Sequence, residues 1–166
     1  MVKFENGNLL DAPVDYICHQ VNCQGRMGSG IAKQIKERWP VVYEKYTAAY
    51  KQREDEVFRG HYGNTLNVTE TLLGHVQNIP VSDNLTVINM FSQQYYGYDG
   101  KKYTSYDAFW DCLQGIVLTV PKGSRIGFPA KILRFLKYEA IINITKTPNN
   151  HCNKNTNIIG TQVILV

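Results

Sequence analysis

His19, Asn22 and the glycines at 25, 28 and 30 stand together in the stretch HQVNCQGRMGSGIAKQI, residues 19–35. A histidine is suited to proton transfer near neutral pH. An asparagine can hydrogen-bond a sugar hydroxyl or hold a water. Closely spaced glycines let the backbone approach a ligand and reach positive φ. A helix starting at the end of such a run turns its free N–H groups and the positive end of its dipole toward an anion, and a diphosphate suits that environment. The spacing is G-x-x-G-x-G, not the G-x-G-x-x-G of dinucleotide-binding loops. The glycines by themselves are therefore as compatible with a bare strand-to-helix turn as with a phosphate cradle. His19 by itself also reads as a satisfied core histidine. The three features side by side favour a site in which Asn22 orients a sugar and His19 acts as acid/base or positions water.

These residues need a strand before them and a helix after them. Val14–Val21 (VDYICHQV) is apolar and β-branched enough for a buried strand. Ile31, Ile35 and Trp39 then recur at helical spacing, and Pro40 opens a second helix with Val42, Tyr46 and Ala49 on its apolar face. LLGHVQNIPV reads as a strand bounded by Gly74 and Pro80, and Leu85–Phe91 as a strand covered on both faces. TSYDAFWDCLQGIV is expected to be a helix with Thr104 and Asp107 as a capping-box-like pair and Tyr106, Phe109, Trp110, Leu113 and Val117 as its core stripe. RIGFPAKI suggests one more strand. Strands alternating with helices predict an α/β layer fold with a largely parallel sheet, whose ligands bind beyond the carboxyl ends of the strands.

With 166 residues the chain has room for one domain, and 43% apolar with 19% charged residues is the balance of a globular protein. No apolar run reaches the ~20 residues of a membrane span, and the first residues lack the pattern of a secretory signal. A cytoplasmic location is the expectation. Cys18, Cys23, Cys112 and Cys152 fit no zinc spacing and read as free thiols. The net charge of +4 is uneven: residues 1–121 hold 11 Lys/Arg against 13 Asp/Glu, while residues 122–166 hold 7 against Glu139 alone. One segment thus supplies the whole excess, with few aromatics interleaved (Phe128, Phe135, Tyr138), so nucleic-acid binding ranks as a minor reading.

The segments GNLL (7–10), DYICHQVNCQGRMGSGIA (15–32), LLGHVQNI (72–79) and VINMFSQQYYG (87–97) resemble the macrodomain family. The nearest likeness is to the branch that holds ADP-ribose 1″-phosphate phosphatases and phage, bacterial and yeast relatives. It covers residues 3–132, and H-x-x-N-C-x-G-x-x-G-x-G-I-A is its most specific part. The resemblance implies a three-layer α/β/α sandwich with a mixed, largely parallel central sheet, and ADP-ribose or a derivative as ligand. By matched position, Asn22 faces the distal ribose, and the backbone of Gly28, Ser29, Gly30 and Ile31 meets the diphosphate. His19 takes the place of a histidine implicated in catalysis. Asn8 stands where many macrodomains carry an Asp on the adenine amino group. Leu9, Gln24, Gly25, Met27 and Pro129 complete the expected substrate-binding set. The implied function is removal of the terminal phosphate of ADP-ribose 1″-phosphate without metal or cofactor, by a monomer. The alternative is a non-catalytic ADP-ribose reader or a hydrolase that removes ADP-ribose from a modified macromolecule. A related subgroup uses a lysine nucleophile after the strand ending near Phe91. FSQQYYG offers none before Lys101, so that chemistry ranks low.

The likeness breaks after Ile132. The family's second Gly-rich loop, of the Ile-Gly-Cys-Gly type, is absent, and residues 133–166 read as a divergent, basic, asparagine-rich tail. Two origins stand open: a shifted reading frame or recombination junction, or a divergent tail that rebuilds the pocket wall another way. Translating the other frames past codon 132 decides between them. Loss of the second loop removes donors around the distal phosphate, which favours binding over catalysis. The apolar ending VILV must be covered, or it becomes a sticky edge.

Overall fold

The computed structural model describes residues 2–63, 66–97, 99, 101, 103–134 and 162–166. The asparagine-rich tract at 143–157, with Phe135, Tyr138 and Cys152, lies outside them. The described residues form one six-stranded sheet with helices on both faces, which is the expected α/β/α sandwich. In chain order the elements are β1 (Val2–Phe4), β2 (Tyr16–Asn22), α1 (Gly30–Arg38), α2 (Pro40–Phe58), α3 (Val68–Leu72), β3 (Val76–Ser82), β4 (Leu85–Gln93), α4 (Tyr106–Thr119), β5 (Arg125–Phe128) and β6 (Gln162–Leu165). The sheet order is β1-β6-β5-β2-β4-β3. Only β3 runs antiparallel to its neighbour.

The period of two along each strand divides the core into two layers. Ile17 and Val21 of β2 and Val87 and Phe91 of β4 turn toward Ile35 of α1 and Val42 and Tyr46 of α2. Cys18, Ile88 and Met90 turn the other way, onto Phe109, Cys112, Leu113 and Ile116 of α4. β6 is nearly all apolar because it lies inside the sheet, between β1 and β5, where Val163, Ile164 and Leu165 are buried. The sticky ending is thereby covered. The Asp15 carboxylate accepts from the Arg125 guanidinium (2.7 Å) and backbone N–H (2.7 Å), fastening the starts of β2 and β5.

Three local expectations are corrected. Pro80 sits inside β3, opposite Thr86, and does not end it; β3 is an edge strand, where a missing N–H costs no ladder bond. The cap of α4 is Ser105, whose hydroxyl accepts from Ala108 N–H, while Thr104 is engaged in a bridge to Gln93. The stripe of α4 is rotated accordingly: Ala108, Phe109, Cys112, Leu113 and Ile116 face the sheet, and Tyr106 and Trp110 are exposed. Small side chains at 108 and 112 let the helix lie close to the strands and push the large rings to its rim.

Candidate functional site

All five parallel strands end on the same cavity, of about 830 Å³. Its walls come from Gly7, Asn8 and Leu9 after β1, Gln20–Asn22 at the end of β2, Gln93 at the end of β4, Pro129–Ile132 after β5 and Val166 after β6. The remaining wall is the loop from Arg26 to Ser29 and the first turn of α1, faced by Lys36, Tyr43 and Tyr96. This is the carboxyl edge of a largely parallel sheet, where α/β folds bind ligands, and the volume is that of a small-molecule site.

At its helical end the loop enters α1 beside the cavity. Ser29 precedes α1 in extended backbone and its carbonyl accepts from Lys33 N–H (3.2 Å), but its hydroxyl makes no capping bond. The N–H groups of Gly30, Ile31 and Ala32 have no acceptor within the helix, and all three residues line the cavity. Gly30 has φ +56°, a conformation that a side chain would strain. Gly25 also has positive φ (+70°), but Gly28 does not. The reason for glycine at 28 is room: a Cβ there would meet no protein atom within 4 Å, and the position borders the cavity.

Of the anticipated residues, Asn8, Leu9, Asn22, Met27, Gly28, Ser29, Gly30, Ile31 and Pro129 line the cavity, while His19, Gln24 and Gly25 do not. Gln24 instead uses its side-chain oxygen to accept from Tyr96 N–H (2.9 Å), bracing the Tyr96 wall. Gly25 backs onto the Tyr50 ring. Asn8 is spent locally: its Oδ1 accepts from Leu10 N–H (3.1 Å) and its Nδ2 donates to Asp11 (2.8 Å), whose other oxygen holds Arg38.

His19 requires the largest correction. It lies three residues before the end of β2, roughly 10 Å below the strand's carboxyl edge at 3.3 Å per residue. It shares a face with Ile17 and Val21, pointing under α2, and is fully buried. Its Nε2 pairs with Asn89 Oδ1 (2.7 Å), directly opposite in register on β4. Asn89 Nδ2 in turn donates to Gln77 Oε1 (3.0 Å), and Gln77 donates to the Lys45 carbonyl of α2 (2.9 Å). Because the Asn89 amide donates to Gln77, its oxygen faces His19 and Nε2 carries the proton. Nδ1 is left without a partner. Burial pulls the imidazole pKa down to about 4, against the smaller opposing effect of the Asn89 bond. The ring is a buried core group paired with Asn89, and it does not line the cavity as the acid/base role expected of it requires.

Asn22 is placed as expected, and its surroundings explain why. Its Oδ1 accepts from Gln24 N–H (3.0 Å), Arg26 N–H (3.3 Å) and the Tyr46 hydroxyl (2.8 Å). Its Nδ2 donates to the Arg26 carbonyl (2.6 Å). The cysteines among the described residues are buried free thiols, with Cys23 and Cys112 pushed up to about 12 by burial.

Sequence reasoning passed over the cavity's charge. Arg26, Lys36 and Lys131 line it, and no Asp or Glu side chain does among the described residues. The Lys36 ammonium lies 4.0 Å over the Tyr43 ring. Arg26 was visible within the glycine run, whereas Lys131 and Lys36 reach the cavity only through the fold. Three cations and a helix N-terminus could hold a polyanion, and Leu9, Val21, Met27 and Ile31 offer apolar wall for a ring or sugar face.

No family model matches the chain. It is similar to a DNA ADP-ribosyl glycohydrolase of Thermus aquaticus, 39% identical over 59 residues, which are 36% of this chain and 16% of that protein. The match thus spans about a sixth of the length of that curated relative. Among solved structures, it is similar to the macrodomain of Thermus aquaticus DarG, at TM-score 0.64 and 19% identity, over 99% of this chain and 97% of that one. It is also similar to Thermosipho africanus DarTG in complex with ADP-ribose, at TM-score 0.63 and 17% identity, over 99% of this chain and 41% of that one. With its sheet order, its two helical layers and its cavity at the carboxyl edge, the chain has the macrodomain fold.

Proposed function

We propose that this chain binds the ADP-ribosyl group and hydrolyses a derivative of it. The observation that supports the reading is the cavity lining: free N–H groups of α1 and three cations, with no Asp or Glu side chain among the described residues, beside apolar walls. A diphosphate linking adenosine to a second ribose matches that pattern of charge and surface. Two leaving groups compete. Release of phosphate from ADP-ribose 1″-phosphate was expected to rely on His19, and a ring buried under α2 cannot serve it. The likeness to a DNA ADP-ribosyl glycohydrolase favours cleavage of ADP-ribose from a nucleic-acid base. That reading gives a purpose to the exposed Tyr96 of the cavity wall, on which a base can stack.

Calorimetry with ADP-ribose tests the binding step. Parallel incubation with an ADP-ribosylated oligonucleotide and with ADP-ribose 1″-phosphate tests the reaction. Release of ADP-ribose from the oligonucleotide is the expected result. Phosphate release alone would restore the phosphatase reading. Binding without turnover of either would make the chain a reader, as loss of the second Gly-rich loop suggests.

A further inference from the structure

Tyr46 is one of the largest fully buried side chains and was anticipated only as part of the apolar face of α2. Its ring is a core ring, stacked obliquely on Phe91 (5.7 Å between centroids) and Tyr43 (6.3 Å). Its hydroxyl is not explained by packing. That oxygen lies 2.7 Å from the Asn22 carbonyl, 2.8 Å from Asn22 Oδ1 and 3.0 Å from Arg26 N. A phenol has one proton to donate, so the hydroxyl donates to one Asn22 oxygen while accepting from Arg26 N–H. Burial pushes the phenol pKa up, so the group remains a donor at every working pH.

The consequence falls on Asn22. Its Oδ1 faces three donors, the Tyr46 hydroxyl and the N–H groups of Gln24 and Arg26, so its two lone pairs are filled whichever Asn22 oxygen takes the phenol proton. One Nδ2 hydrogen goes to the Arg26 carbonyl. Among the described residues, the other Nδ2 hydrogen is the only hydrogen-bonding capacity of this cavity-lining side chain without a partner.

We propose that Tyr46 is a positioning residue for the site: its buried hydroxyl locks Asn22 and Arg26 so that Asn22 meets the ligand as a donor only, through its second amide hydrogen, toward an acceptor oxygen. The inference rests on the reading of the cavity as an ADP-ribosyl site and names how that site sets hydrogen-bond polarity. Tyr46 acts through Asn22 and touches no ligand itself. Arg26, whose backbone is pinned at both N–H and carbonyl, is fixed at the cavity wall by the same lock.

The test is a double-mutant cycle on the full chain, with ADP-ribose affinity by calorimetry as one readout and backbone amide exchange as the other. Tyr46→Phe keeps the ring and is expected to weaken ADP-ribose about tenfold, as loss of one well-placed hydrogen bond does. Asn22→Ala is expected to weaken it at least as much. The decisive comparison is the double variant, which should bind no more than about twofold worse than Asn22→Ala alone, because coupled residues do not add. Full additivity would overturn the proposal, since a residue acting only on stability has no reason to fall silent without Asn22.

Amide exchange stands apart from ligand. In the free protein, Tyr46→Phe must speed exchange at Arg26 N–H while Ile88 in β4 stays protected. Unchanged protection at Arg26 overturns the lock. If wild-type protein fails to bind ADP-ribose, the functional reading falls, and this exchange result judges the lock by itself. If Tyr46→Phe does not fold, Asn22→Ala takes its place, and unaltered exchange at Gln24 and Arg26 N–H overturns the proposal.

Discussion

Acidification from pH 7.5 to 4.5 should destabilise this protein through one ring. His19 is fully buried and neutral, with its pKa lowered from 6.5 to about 4 by loss of solvent. In the unfolded chain the same ring protonates near 6.5. Between those values the unfolded state binds more protons than the native state, so stability is full above pH 6.5 and falls as pH drops toward 4. At pH 4.5 the unfolded ring is about 99% protonated and the native ring about a quarter, which converts to a loss of roughly 2–3 kcal/mol. For a chain of this size that is a fall in Tm of about 5–10 °C. The assay is thermal unfolding at pH 7.5, 5.5 and 4.5 for wild type and His19→Gln. Glutamine can still donate to Asn89 and cannot ionise. The variant should begin less stable at pH 7.5 but lose little between pH 6.5 and 4.5. Asp15 belongs to a different window: its carboxyl is held below 3.8 by Arg125, so its contribution is present above that value and disappears below it. If His19→Gln loses as much stability as wild type between pH 6.5 and 4.5, the buried neutral ring is not what the acid attacks, and the reasoning fails.

Three further outcomes follow from the geometry. Gly127→Ala places a Cβ 2.7 Å from Leu9 Cδ1 and 3.3 Å from Val14. Denaturant unfolding should show a loss of about 1–3 kcal/mol, and because Leu9 lines the cavity, ADP-ribose affinity should fall with it. Gly30→Ala imposes a left-handed φ on a side chain at the first residue of α1, costing about 1–2 kcal/mol. A stability loss below about 0.5 kcal/mol would mean that the turn relaxes freely. Arg26→Ala should weaken ADP-ribose and flatten the dependence of its affinity on salt, since one cation facing the diphosphate is removed. An unchanged salt slope in calorimetry at two ionic strengths would place Arg26 outside the anion's reach.

Much of this molecule was legible in residue order because its signals are local. Apolar runs marked β2 and β4, the period of 3.6 marked α1 and α2, and proline at 40 opened α2. The glycine run announced a loop whose residues 26–30 line a cavity, and Asn22, expected to orient a sugar, lies in the same wall. What failed were inferences across the fold. Proximity in sequence made His19 and Asn22 look like partners. A strand's rise of roughly 3.3 Å per residue separates them, and its alternation sends His19 under α2 to Asn89, 70 residues away. Tyr46 looked like any apolar helix position, because periodicity says which face is buried and nothing about where a hydroxyl ends. The basic ending looked foreign to the fold, yet β6 lies inside the sheet, and Lys131 and Val166 complete the cavity wall. The sequence by itself determined the elements, their layers and the loop that borders the cavity. Only tertiary packing decided which groups share the cavity, because burial and long-range hydrogen bonds are set by what the sheet brings side by side.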